Sequence, residues 1–157
     1  MQGRELLERL ERVVAAGCDI RLYSADNVWC APVPGRPTLY VINTARRDDP
    51  EGQHYVSFYV DPQRTVTFYD SYGFPPWPCL RDYWKEHGLG PVRFTDRVLQ
   101  SPFSSACPYH QLTFAALITN GSEFRDFLKS LADDVEANDA AVKEFALALS
   151  SATGLRP

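Results

Sequence analysis

Acyl transfer through sulfur needs a thiol, an imidazole to take its proton and a group to orient the imidazole. Three widely separated residues offer that set. Cys107 lies in FSSACPYHQLTF (103–114), His54 opens HYVSFYV (54–60) and Asp70 closes RTVTFYD (64–70). Small residues (Ser104, Ser105, Ala106) precede Cys107, and a helix-forming run follows it. Pro108 suits the first helical position, where a missing N–H costs nothing. Cys107 is therefore predicted at or next to a helix N-cap and aimed outward, where unpaired N–H groups and the macrodipole favour a thiolate. The competing reading is packing, because cysteine is among the most buried residue types.

Side-chain parity places the other two. Val56, Phe58, Val60, Val66 and Phe68 are even-numbered and apolar, whereas Tyr55, Ser57, Tyr59, Thr65, Thr67 and Tyr69 tolerate partial solvent. Alternation along a strand predicts a hairpin turning at Asp61-Pro62-Gln63, with its even positions facing one core. Keeping that face continuous requires an odd-residue loop. His54 then stands diagonal to Asp70, about 7–8 Å apart at the backbone. A carboxylate there would fix the ring's tautomer and stabilise its charged form. The alternative is a surface pair worth under about 1 kcal/mol.

Two further residues enter. Gln100 lies seven positions before Cys107, at the end of a predicted strand. Its amide could donate to a developing oxyanion together with the Cys107 backbone N–H. His110 shares a helix face with Cys107 and is a second candidate base, although the sequence offers it no evident acidic partner.

The elements that must position these groups are read as follows. Residues 4–16 carry Leu6, Leu7, Leu10, Val13 and Val14 at helical spacing, ended by Gly17. Residues 18–37 hold Pro32, Pro34, Gly35 and Pro37 and read as loop. TLYVIN (38–43) reads as a buried strand, TARRDDPEGQ (44–53) as an exposed loop, 79–87 as a short helix ended by Gly88, and 92–99 as a strand. Residues 108–119, 122–132 and 135–150 read as helices, with Ser122 as a cap. Helix, then strands, then helices predicts an α+β fold with a mostly antiparallel sheet.

Composition narrows the function class. With 157 residues, 45% apolar and 13% aromatic, the chain fits one compact domain, 1–157, with an ample core. A net charge of −4 argues against a nucleic-acid binder, the Arg46-Arg47 pair notwithstanding. Cys18, Cys30, Cys79 and Cys107 form no C-x-x-C pair, and the hairpin offers no third ligand, so neither a zinc site nor any other cofactor is expected. MQGRELLERLERVV alternates charge with leucine and lacks the apolar run of a signal peptide or span. An intracellular protein with reduced thiols and no membrane contact is the expectation. Asn120-Gly121-Ser122 matches a glycosylation sequon but reads as a turn.

The ordered set His54, Asp70, Gln100, Cys107, in the stretches INTARRDDPEGQHYVSFYVD, TFYDSYGFPP and LQSPFSSACPYHQLTF, resembles the adenovirus-type maturation cysteine proteases (the adenain family). More distantly it is similar to the SUMO-deconjugating proteases. The likeness runs from about residue 4 to about residue 120. It includes the Cys18-Asp19 turn, the acid–small–aromatic–Gly segment and Gln-x-Pro-x-Ser-x-x-Cys. It implies a central sheet flanked by helices, with the nucleophile at a helix N-terminus. It also implies His54 as general base, Asp70 as its orienter, Gln100 as oxyanion donor, Cys107 as nucleophile and Tyr55 as the aromatic beside the base.

The substrates implied are viral precursor proteins cut at glycine-containing sites in the host nucleus and virion. Three departures are visible. Pro108 stands where relatives have glycine. No cysteine occurs in GPVRFTDRVLQ, where an activating peptide would form its disulfide. The chain is acidic where the family uses basic surface for DNA. Peptide-disulfide activation is therefore expected to be absent and DNA stimulation weak. A deconjugase, or a degenerate protease fold acting as a binding module, are the alternatives. Residues 121–157 have no counterpart in the resemblance.

Overall fold

The structure, a computed structural model, describes residues 3–25, 35–44, 54–102 and 104–152. Its elements are α1 (Gly3–Val13), β1 (Asp19–Ser24), β2 (Thr38–Asn43), β3 (Tyr55–Val60), β4 (Val66–Tyr69), α2 (Pro78–Glu86), β5 (Val92–Phe94), α3 (Cys107–Thr119), α4 (Phe124–Lys129) and α5 (Val135–Ala152). Among the described residues the strands form one sheet in the order β1-β2-β3-β4-β5. β1 pairs parallel with β2, β2–β3 and β3–β4 are antiparallel, and β4–β5 is parallel. The α+β class expected from the sequence is observed, with a mixed sheet.

The hairpin register, Ser57↔Tyr69 and Val60↔Val66, is that of an odd-residue connection spanning 61–65. The connection is longer than Asp61-Pro62-Gln63 because Thr65 is spent on closing the turn. Its N–H donates to Asp61 Oδ1 at 2.9 Å, and Arg64 adopts φ 66°.

The one-sided sheet predicted from parity is corrected. Even positions do form a core with Tyr40, Ile42, Leu80, Tyr83 and Trp84. The odd positions Tyr55, Tyr59 and Tyr69 are buried too, against Leu6, Leu10, Leu112 and Phe114 on the other face. Two helical layers sandwich the sheet, so tyrosines that look amphipathic in the sequence are covered. The cause is α3, which is buried around nearly its whole circumference and packs on β3, α1, α4 and α5. Tyr69 stacks on Phe114 at 5.0 Å and meets Phe127 edge-on at 5.2 Å. Such pairs add about 0.5–1.5 kcal/mol each beyond area burial.

Two further expectations change. The stretch 18–37 is not all loop, because 19–24 form β1 on the parallel edge of β2. Pro32, Pro34, Cys30, and 45–53 of the expected exposed loop (Arg46 and Arg47 among them) lie outside the described residues. The strand predicted over 92–99 stops at Phe94. Thr95 Oγ1 then accepts the Arg97 N–H at 3.2 Å, a local turn that competes with the ladder. Gln100 therefore does not end a strand.

Candidate active site

His54 immediately precedes β3. Its carbonyl is pinned by the Thr44 N–H at 2.8 Å and the Thr44 hydroxyl at 3.1 Å. Asp70 immediately follows β4, in a turn closed by the Gly73 N–H donating to the Asp70 carbonyl at 2.9 Å. Gly73 has φ 76°, and a Cβ there would lie 2.7 Å from the Arg97 carbonyl. Only glycine fits this crossing of the turn over 97–98.

The diagonal relation set by the register brings the two side chains together. His54 Nε2 lies 2.8 Å from Asp70 Oδ1. The same oxygen accepts the Tyr72 N–H at 2.8 Å. The imidazole is 20% and the carboxylate 8% exposed, so this is no surface pair. With Nε2 committed to the carboxylate, Nδ1 is left on the Cys107 side. It is buried and holds no conventional hydrogen bond among the described residues. Burial opposes charge on the ring, but Asp70 first and then Cys107 outweigh it. The net effect raises the His54 pKa from its ordinary 6.5 to about 9. Thiol and imidazole are thus electrostatic neighbours.

Cys107 is the first helical residue of α3, with Ala106 as N-cap and Pro108 in the second position, where its missing N–H is again an orphan. The outward aim expected from the sequence is corrected, for the residue is 4% exposed. The physical reason is the strand beside it. Sγ lies 3.0 Å from the Tyr55 N and 3.1 Å from the Tyr55 carbonyl oxygen. The N–H donates to sulfur and the thiol donates to the carbonyl. Gln111, one turn along α3, also donates Nε2–H to that carbonyl at 2.9 Å. The carbonyl therefore keeps a donor when the thiol loses its proton.

Gln100 is fully buried. Its backbone N–H donates to the Ser71 carbonyl at 3.0 Å, and its Oε1 accepts the Ser71 hydroxyl at 2.5 Å. The amide nitrogen donates to the Ser104 carbonyl at 3.2 Å, with longer 3.4 Å contacts to the hydroxyls of Ser104 and Tyr72. Gln100 is thereby tied both to the Asp70 turn and to the approach to Cys107.

His110 is placed elsewhere. Its Nε2 donates to Asp139 Oδ1 at 2.9 Å, and Nδ1 accepts the Tyr69 hydroxyl at 3.0 Å. It does have an acidic partner, contrary to the sequence reading. That partner comes from α5, which nothing local to His110 could announce. Both ring nitrogens are occupied and burial chiefly lowers its pKa, so His110 is a neutral packing group and not a free base.

Sequence reasoning missed Tyr72 and Gln111. Tyr72 touches three of the four candidates. Its N–H is on Asp70, its ring centroid is 4.4 Å from that of His54, and its hydroxyl is at Gln100. The signal was available in spacing alone, since Tyr72 lies two residues past Asp70 and Gln111 one helical turn past Cys107. Among the described residues, no group of three or more His, Cys, Asp or Glu is arranged to hold a metal ion, and no helix is long and apolar enough to cross a membrane. Cys18, Cys79 and Cys107 are free thiols.

No protein-family model matches the chain. No curated protein matches it either. Solved structures do. A crystal structure of the ASFV pS273R protease superposes with a TM-score of 0.52 at 14% identity, covering 79% of this chain and 59% of that one. A selenomethionine form of the same protease gives 0.49 at 16% identity, over 68% and 43%. The SUMO protease Ulp1, with its catalytic cysteine oxidised to a sulfinic acid, gives 0.39 at 15% identity, over 74% and 54%. The chain spans less than two thirds of the length of each. What the first of these superpositions carries is architecture: over the superposed part, the chain's mixed sheet and flanking helices share the fold of the ASFV pS273R protease.

Proposed function

We propose that the chain is a cysteine endopeptidase that cleaves viral precursor proteins, capsid or core, at glycine-containing sites. The single observation supporting it best is the ring of His54, held at Nε2 by Asp70 with Nδ1 left toward Cys107. The adenovirus-type assignment and the viral substrate rest on the sequence resemblance.

In this reading the Cys107 thiol passes its proton to His54 Nδ1, and sulfur attacks the peptide carbonyl carbon. The oxyanion accepts hydrogen bonds from the Gln100 amide and the Cys107 N–H. The two 3.4 Å contacts of the Gln100 amide, to the hydroxyls of Tyr72 and Ser104, are weaker than its 3.2 Å bond to the Ser104 carbonyl, and an oxyanion would replace one of them. Collapse breaks the C–N bond, and the leaving amine takes the proton from His54. Water then attacks the thioester, gives its proton to His54, and the carboxylic product departs as the thiolate re-forms. The Tyr55 N–H, which donates to sulfur at 3.0 Å, is strongest as a donor to the thiolate, before its charge passes to the carbonyl oxygen.

A fluorogenic diglycine peptide tests the reading. Turnover by the wild type and its loss in Cys107→Ala are expected, and equal signal from both overturns it. The same assay with a ubiquitin-like conjugate separates precursor cleavage from deconjugation. Added double-stranded DNA should leave the rate within about twofold, as the −4 net charge implies. The burial of Cys107 favours a second reading, a spent protease fold that binds without cutting. A wild type that holds a precursor peptide without cleaving it would support that one.

A further inference from the structure

We propose that α5 is a positioning element of the oxyanion site, with Asp139 fixing the segment that carries Gln100 to the helix that carries Cys107. The inference rests on the peptidase reading above and assigns a role to residues beyond 120, which the family resemblance does not reach.

Among the described residues no strand pairs with 99–101, so other groups must hold them. Two sides do. Ser71 takes the Leu99 and Gln100 N–H groups at 2.8 and 3.0 Å. From the other side α5 supplies adjacent residues. Asn138 Nδ2 donates to the Leu99 carbonyl at 3.2 Å, and Asp139 Oδ2 accepts the Ser101 N–H at 3.2 Å. The backbone on both sides of Gln100 is therefore clamped by one turn of α5. Asn138 and Asp139 are 2% and 6% exposed, unusual burial for such side chains on a helix.

Asp139 does a second thing. Its Oδ1 accepts Nε2–H of His110, one turn into α3 from Cys107, and His110 continues to the hydroxyl of Tyr69, next to Asp70. One carboxylate thus bonds both the oxyanion-donor segment and the nucleophile helix. A neutral His110 satisfies every member of the chain, donating from Nε2 and accepting at Nδ1. An oxyanion donor acts only if its N–H is placed to within a few tenths of an ångström, so the element that sets its backbone sets its usefulness.

The test compares two reactions of the same thiol. Peptide hydrolysis passes through an oxyanion. Alkylation by iodoacetamide forms a C–S bond and expels iodide with no oxyanion, so it reads the nucleophile and its base alone. In Asp139→Ala, kcat on the diglycine peptide should fall about 10-fold or more, while KM and the Cys107 alkylation rate stay within about threefold. Asp139→Asn, whose amide can accept from Ser101 and donate to His110 in its other tautomer, should keep kcat within about threefold of wild type. If Asp139→Ala does not fold, Asn138→Ala, which loses one of the two holds, carries the same comparison. Unchanged kcat, or hydrolysis and alkylation falling in proportion, overturns the positioning role while leaving the peptidase reading intact. A wild type with neither turnover nor preferential Cys107 alkylation overturns the peptidase reading, and this inference with it.

Discussion

His54 gives its Nε2 to Asp70 Oδ1 at 2.8 Å, and that one contact decides which ring nitrogen is left for Cys107. A carboxylate in this position accepts a hydrogen bond, so the neutral ring carries hydrogen on Nε2 and a lone pair on Nδ1. The pair is enclosed, with Tyr72 lying over the imidazole.

The first prediction concerns pH and rate. With the His54 pKa near 9, loss of the imidazolium should draw an alkaline limb in kcat/KM close to that value. The hydrogen bond to Asp70 is the largest single cause raising it, so Asp70→Asn should move the limb down. A limb that stays in place in Asp70→Asn would mean that another group titrates there.

Stability should respond to His54 and His110 with opposite signs. His54 has a raised folded-state pKa, so its contribution is complete below 6.5 and is lost as pH rises through about 9. His110 is lowered, so its contribution is in place above 6.5 and is lost as pH falls. Urea midpoints measured from pH 5 to 10 should decline on both sides of about 6.5–7. His54→Gln should flatten the alkaline side and His110→Gln the acid side.

Tyr72 separates ring from hydroxyl. Tyr72→Phe keeps the tilted ring contact at 4.4 Å and loses only the 3.4 Å contact to Gln100, so kcat should stay within about threefold. Tyr72→Ala uncovers His54 and should cost about 10-fold or more in kcat. Equal effects of the two substitutions in steady-state kinetics would contradict the account.

Gln100→Ala should lower kcat by about 10²–10³ while lowering alkylation of Cys107 far less, as expected of an oxyanion donor. A matching loss in alkylation would point to a packing role instead.

Gly73→Ala forces a Cβ within 2.7 Å of the Arg97 backbone in a left-handed conformation. A loss of about 1–3 kcal/mol in a urea titration is expected, with reduced turnover because the Asp70 turn must shift.

Much of this site was legible because it depends on local patterns. Parity put His54 and Asp70 at the same end of a hairpin, and the odd-residue connection made them diagonal. The Cys107-Pro108 pair marked a helix start. What was not legible depends on residues far away in the chain. The burial of Cys107 comes from the Tyr55 backbone, 52 positions away, and the partner of His110 comes from α5, 29 positions on. Both strand faces are covered because helices pack on each, α3 being buried nearly all round, and a period-2 pattern in the hairpin cannot report what lies against it. Strand β1 was hidden by counting the prolines of 18–37 as one loop, when 19–24 carry none.

The most direct measurement is the rate of iodoacetamide labelling at each cysteine, read by peptide mass spectrometry in the wild type and in His54→Ala. Cys18 is slowed by burial, which pushes its pKa up to about 11, and Cys79 is exposed. The account predicts that Cys107 labels fastest despite being buried, and that this advantage disappears without the imidazole. Cys107 labelling more slowly than Cys79 in both proteins would contradict it.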